Sequence, residues 1–287
     1  MIRRGGRRGG VVAAGLLTGA LLGLGFPAPA RADPEADRIG FRSYFQQRFP
    51  DVPAEAWIDG MYAIDEGARQ QWQEIEDFPP YEFTVEEGQA LFQDPFGDGR
   101  SYGDCFPDAG RGIRQRYPRF DSETGEVETL EVAINGCRAR HGEPALSYDS
   151  KEMLALTAWI AYASRGRPMA VEVPDDARAL AAYEEGKRFY YTKRGRLDMA
   201  CVDCHGRYAG AFIRGDHLSA SLGHPTHFPV YRLKLGGMVS LHKRFHGCIR
   251  DVGAEPFDEQ SREFRRLEYF LTYMSNGLEA NGPAVRK

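Results

Sequence analysis

The stretch Cys201-Val202-Asp203-Cys204-His205 carries the plainest chemistry in the chain. Two thiols separated by two residues, followed at once by a histidine, form an attachment site for covalent c-type haem. The thiols add to the two porphyrin vinyl groups, and His205 is then placed beneath the iron as proximal ligand. A thioredoxin-like redox pair or half of a zinc site are the other uses of such spacing. A redox pair needs no histidine directly after it, and no second CxxC accompanies this one.

Covalent haem implies an exported protein, and the N-terminus agrees. Arg3, Arg4, Arg7 and Arg8 precede a short apolar run from Val11 to Phe26, and Ala30-Arg31-Ala32 offers a cleavage site. The run is too short to span a bilayer, so residues 1–32 are expected to be a signal peptide and the mature chain periplasmic. No later segment is long and apolar enough to span a membrane. Removing five arginines and no acid leaves a formal charge of 32 − 41 = −9, which disfavours a nucleic-acid partner.

Against that charge, His217 to Arg250 contains no Asp or Glu, yet holds Arg232, Lys234, Lys243, Arg244, Arg250 and five of the seven histidines. Such a basic island suits an anionic substrate, an acidic partner or the haem propionates. Cys248 lies within it. A thiolate there could be the second axial ligand of the iron. Met238, Met199, Met274 or a histidine could do the same, with Cys248 an inert buried thiol or half of an intermolecular disulfide. Arg244 stands four residues before Cys248, on the same face if the segment is helical, and could hold a small oxyanion by a bidentate fork. His224 and His227 read as structural.

The elements that must position these groups repeat. Asn135-Gly136-Cys137 resembles His246-Gly247-Cys248, an offset of 248 − 137 = 111, which persists from Ser150/Ser261 to Gly166/Gly277. Glu86-Glu87-Gly88 likewise matches Glu184-Glu185-Gly186. The haem motif aligns with Cys105-Phe106-Pro107-Asp108-Ala109, where the second cysteine and the histidine are gone. Helix starts are expected at Thr84–Glu87, by a capping box, and at Asp149–Glu152; Pro95–Gly103 and Gly223–Gly237 read as loops. The expected fold is mainly α: two tandem cytochrome c-like lobes, a haem-free one over 33–168 and a haem-binding one over 177–287, joined by a linker at 169–176. If the first lobe keeps its fold, Cys105 and Cys137 stay close, and a disulfide is the natural replacement for the missing cofactor; two free thiols is the alternative.

Gly223-His224-Pro225-Thr226-His227-Phe228-Pro229-Val230-Tyr231-Arg232, Arg244-Phe245-His246-Gly247-Cys248 and Ala254-Glu255-Pro256-Phe257 together resemble the SoxA family, the larger cytochrome subunit of bacterial thiosulfate-oxidising Sox systems. The resemblance covers essentially the whole mature chain. It implies an L-cysteine S-thiosulfotransferase that joins thiosulfate to a cysteine of the SoxYZ carrier protein. It further implies a small SoxX-like cytochrome c subunit as heterodimeric partner and a soluble cytochrome c as acceptor. It assigns Cys248 as distal haem ligand and cysteine persulfide, and Arg244 to substrate binding. Asp108 and Ala109 place the chain in the single-haem branch, with one covalent haem c. A plain electron-transfer cytochrome and a structural haem subunit are the competing functional classes.

Overall fold

The computed structural model describes Met1, Gly6 and residues 32–287 except Arg214. The signal peptide expected over 1–32 lies almost wholly outside the described residues. Residues 32–287 form one compact unit. No helix among the described residues is long and apolar enough to cross a membrane.

Nine α-helices carry the unit among the described residues. They are α1 (Pro34–Arg48), α2 (Glu66–Glu76), α3 (Glu82–Gln93), α4 (Tyr102–Cys105), α5 (Leu130–Arg140), α6 (Lys151–Tyr162), α7 (Ala177–Tyr191), α8 (Leu241–Asp251) and α9 (Arg262–Met274). Most start at a side-chain cap that satisfies an otherwise orphaned backbone N–H: Thr129 before α5, Ser150 before α6, Asp176 before α7, Ser240 before α8 and Ser261 before α9. The start of α3 differs from expectation. It begins at Glu82 after Tyr81, which provides no side-chain cap, and Thr84 lies inside the helix. Buried Tyr81 enters hydrogen bonds with Glu76 and Arg165, and this tertiary anchor fixes the chain's entry in place of the capping box.

The backbone itself repeats at the offset of 111. Strands β1 (Arg119–Asp121) and β2 (Glu126–Glu128) form an antiparallel hairpin ahead of α5 and α6. Two strands of a short intervening hairpin are β3 (Phe212–Ile213) and β4 (Asp216–His217). Strands β5 (Val230–Arg232) and β6 (Gly237–Val239) then form the equivalent hairpin ahead of α8 and α9. The last strand, β7 (Ala284–Arg286), adds parallel to β5. Gly223–Gly237, read as loop from its glycines and prolines, therefore contains a strand whose partner lies more than fifty residues away. Local composition does not register such a partner.

In each repeat two helices cross at a glycine. A Cβ on Gly88 of α3 would fall 1.9 Å from the carbonyl oxygen of Ala155 in α6; one on Gly186 of α7 would fall 2.0 Å from that of Arg266 in α9. Two apolar clusters grow around these crossings, and each recruits the other's hairpin. Phe120 and Val127, from β1 and β2, pack into the cluster of Tyr183, Tyr190, Leu267 and Phe270. Tyr231, Met238 and Val285, from β5 to β7, pack against the cluster of Phe92, Ile134, Leu156 and Trp159. Residues 169–176 run between them under firm constraint: Met169 N bonds to Leu278 O at 2.8 Å, Val171 N bonds to Asn276 Oδ1 at 2.9 Å, and both side chains are buried.

Gly186→Ala should destabilise the protein by about 3 kcal/mol or more, because the methyl meets main chain that cannot turn aside. Urea denaturation followed by far-UV circular dichroism measures this, with Gly247→Ala, whose new Cβ would meet no atom closer than 3.7 Å, as the mild comparison.

Candidate active site

Ala200 begins the helical turn that carries the CxxCH motif. Asp203 Oδ2 accepts the Ala200 N–H at 2.8 Å and its other oxygen lies 3.1 Å from Arg207, so the motif's own Asp fastens the turn. The turn continues as one π-helical turn over Asp203–Arg207. Cys201, Cys204 and His205 all face a cavity of about 480 Å³. Its floor comes from the second helix pair, through Phe189 and Tyr190 of α7 and Leu267 and Leu271 of α9. Helix α8 supplies Leu241, Arg244, Phe245 and Cys248 to the lining. The structure thus brings together Cys201, Cys204, His205, Arg244 and Cys248.

The three groups of the CxxCH motif have defined states. His205 Nδ1 donates to Ser219 O at 2.9 Å, which fixes the tautomer and leaves the Nε2 lone pair for a metal. Burial, with the charge of Arg244 adding to it, pushes the His205 pKa down to about 4, so the ring is neutral as ligation requires. Burial pushes the Cys201 thiol up to about 12 and raises Cys204 as well. Both are thiols in this enclosure, suited to thioether formation rather than to thiolate redox exchange. A pair of enclosed thiols, a neutral imidazole with a fixed tautomer and a mainly apolar cavity fit a covalent haem.

Of the sixth-ligand alternatives, Met199 lines the cavity, whereas Met274 is buried in the core below it. Met238 does not line the cavity, because its side chain packs against the first helix pair. His224 and His227 line the cavity but have other partners. His224 Nε2 lies 2.7 Å from Ser219 Oγ, and His227 Nδ1 lies 3.2 Å from Ile58 O.

The basic island divides. Lys243 turns to Asp149 and Glu259, 3.4 and 3.6 Å away, while Arg232, Lys234 and Arg244 line the cavity. Composition missed Arg194, Arg286 and Lys287, which lie outside the island and join the lining through the fold. Arg286 is buried, donates to Val285 O and Ile58 O, and lies over the rings of Tyr62 and Trp72; burial brings its pKa down to about 10. Arg194 donates to Phe189 O and stacks on that ring at 3.8 Å. Among the described residues the Arg244 guanidinium has no hydrogen bond or ion pair, and its Nη1 sits beside the backbone of Gly247, next to Cys248.

Away from the cavity, Cys105 and Cys137 are bonded to each other, tying α4 to α5.

A mainly helical unit whose CxxCH turn faces a mainly apolar cavity defines the class: a c-type cytochrome. The model of the SoxA/TsdA cytochrome c domain matches residues 87–169, the half in which the haem motif is altered. The L-cysteine S-thiosulfotransferase subunit SoxA of Allochromatium vinosum is 50% identical over 282 residues, covering 98% of this chain and 99% of that protein. The protein of the same name from Chlorobaculum tepidum is 47% identical over 281 residues, covering 95% and 98%. The crystal structure of SoxXA from P. pantotrophus aligns with a TM-score of 0.71 at 32% identity, covering 84% of this chain and 90% of that one. The chain belongs to the SoxA family.

His227, fully enclosed, has its pKa held well below the ordinary 6.5 by burial and by Arg286. The unfolded chain therefore binds this proton more readily, and stability is complete above about 6.5 and falls as pH drops below it. Each such histidine adds up to about 1.4 kcal/mol of loss per pH unit. Urea denaturation between pH 7 and 5 should show this slope, and His227→Gln should make it shallower.

Proposed function

We propose that this chain joins thiosulfate to a cysteine of a SoxYZ carrier protein, as the sulfur-transferring subunit of a heterodimer with a SoxX-like cytochrome. The observation that carries the reading is the placement of Cys248 and Arg244 on one helical turn facing the cavity of the CxxCH motif, with the guanidinium left unpaired. A simple electron carrier has no use for an uncommitted cation beside a thiol. The names of the full-length relatives support the same reaction.

Cys201 and Cys204 would hold one haem c through thioether bonds, and His205 and Cys248 would be the residues that ligate its iron. That haem, when bound, supplies an outlet for two electrons, one at a time, toward the partner subunit and a soluble cytochrome c. Arg244 binds the sulfonate end of thiosulfate by its bidentate fork and aims the sulfane sulfur at Cys248. With Cys248 as a persulfide, its outer sulfur bonds to the sulfane sulfur and two electrons leave, giving a Cys248 trisulfane sulfonate. The carrier's cysteine thiolate then attacks the sulfane sulfur, takes the thiosulfate group and releases the persulfide of Cys248. The net change forms one S–S bond and releases one proton from the carrier thiol with the two electrons. The basic lining attracts the dianion and offsets its desolvation.

The first half, with Asp108 and Ala109 in its altered motif, carries no haem in this reading. The chain is exported by its N-terminal segment and works in the periplasm.

Arg244→Ala should lower kcat/KM for thiosulfate by about 10²-fold with the haem spectrum retained. Cys248→Ala should abolish conjugation and change the low-spin electron paramagnetic resonance signals. Unchanged signals and turnover in Cys248→Ala would sink the proposal. Intact-mass measurement of the periplasmic protein should find cleavage after Ala32, one haem and one added sulfur.

A further inference from the structure

The first half of the molecule contains a second constellation of soft ligands that the thiosulfate reaction does not use. Cys105 closes α4, Cys137 lies in α5, and His141 follows at the end of α5, four residues on and so on the same side of the helix. His141 Nε2 is 3.7 Å from Cys105 Sγ, and the two sulfurs and one ring nitrogen lie within 4.8 Å of one another. The ring is held from behind. Its Nδ1 donates to Asp98 Oδ2 at 2.7 Å, it stacks on Phe96 at 5.3 Å, and Asp98 Oδ1 accepts the Arg100 N–H at 2.9 Å. A carboxylate that fixes the Nδ1–H tautomer of a histidine and turns Nε2 toward two sulfurs is the outer-shell arrangement of a zinc ligand.

The repeat strengthens the point. Position 141 corresponds to Val252, which lines the cavity of the second half. An imidazole with its own carboxylate thus stands where the haem-binding copy has an apolar wall. A merely structural disulfide has no need of either group.

We propose that Cys105, Cys137 and His141 form a redox-gated metal site: a disulfide when oxidised, and a Cys₂His site for one zinc ion when reduced. A dithiol reductant delivers two electrons and two protons to the S–S bond and becomes a disulfide itself. Zinc then displaces the two thiol protons, takes Nε2 of His141 as third ligand, and keeps its fourth position for water. Bond and metal are alternative clamps between α4 and α5, so the half without haem stays closed in either redox state.

The test uses haem-loaded protein in a Cys248→Ala background, so that this thiol cannot contribute. The disulfide is reduced with a phosphine, which takes its oxygen from water, the reductant is removed without air, and zinc is titrated against a chromophoric chelator. Reduced protein should bind one more zinc per chain than unreduced protein, and cobalt in its place should give sulfur-to-metal charge-transfer bands. Asp98→Asn should weaken zinc about 10–100-fold, and His141→Gln should abolish the extra equivalent. If reduction loosens the fold, zinc should restore the lost far-UV circular dichroism in wild type and not in His141→Gln. No extra zinc in the reduced protein, whether folded or loosened, would overturn the proposal. Equal affinity in His141→Gln would do the same.

Discussion

The crossing of α7 over α9 at Gly186 is the constraint on which the site depends. Because glycine has no side chain, one helix can rest on the carbonyl oxygen of Arg266 in the other, closer than ordinary helix packing allows. That approach sets the height of Phe189, Tyr190, Leu267 and Leu271, which form the cavity floor. The CxxCH turn follows α7 and α8 precedes α9, so both walls inherit their positions from this one contact. Interiors are packed at near-crystalline density, and a single added methyl there has nowhere to go.

A buried polar cluster then sets how α8 stands on that floor. Glu268 of α9 lies 3.0 Å from His242 Nε2 on α8 and 3.9 Å from Arg114 Nη2 in the first half. His242 Nδ1 accepts the Gln260 N–H, and Arg114 also donates to Tyr117 O and Pro225 O. A buried ion cluster adds little net stability, but breaking one member leaves uncompensated charge, so it selects one arrangement strongly. The exchanged hairpins work in the same direction. With β1–β2 on the second helix pair and β5–β6 on the first, the two halves cannot separate without exposing both cores.

This coupling accounts for the retention of a first half whose haem motif is altered. It reaches Glu268 of α9, the partner of His242 on α8, through Arg114 and supports β5 to β7, whose Arg286 reaches back to the cavity. The local chemistry follows from enclosure. Low dielectric keeps His205, His224 and His227 neutral and favours holding Arg194 and Arg286 on carbonyls and rings, so Arg244 stands out by remaining available.

Much of the site was legible in the chain because its chemistry is local. Two thiols and a histidine within five residues must share one turn, and Arg244 and Cys248 at helical spacing must share one face. The offset of 111 was equally legible, since the duplicated helices keep their capping serines, Ser150 and Ser261, and the glycines that follow them, Gly166 and Gly277. Tertiary structure alone decided the rest. Met238 was an ordinary ligand candidate by position, and only the exchange of hairpins carries it away from the cavity. Arg194 and Arg286 enter the lining, and Asp98 meets His141, through contacts that no local pattern encodes. Spacing along a chain determines what one turn or face can present. Which faces meet is decided by burial and close packing summed over the whole fold.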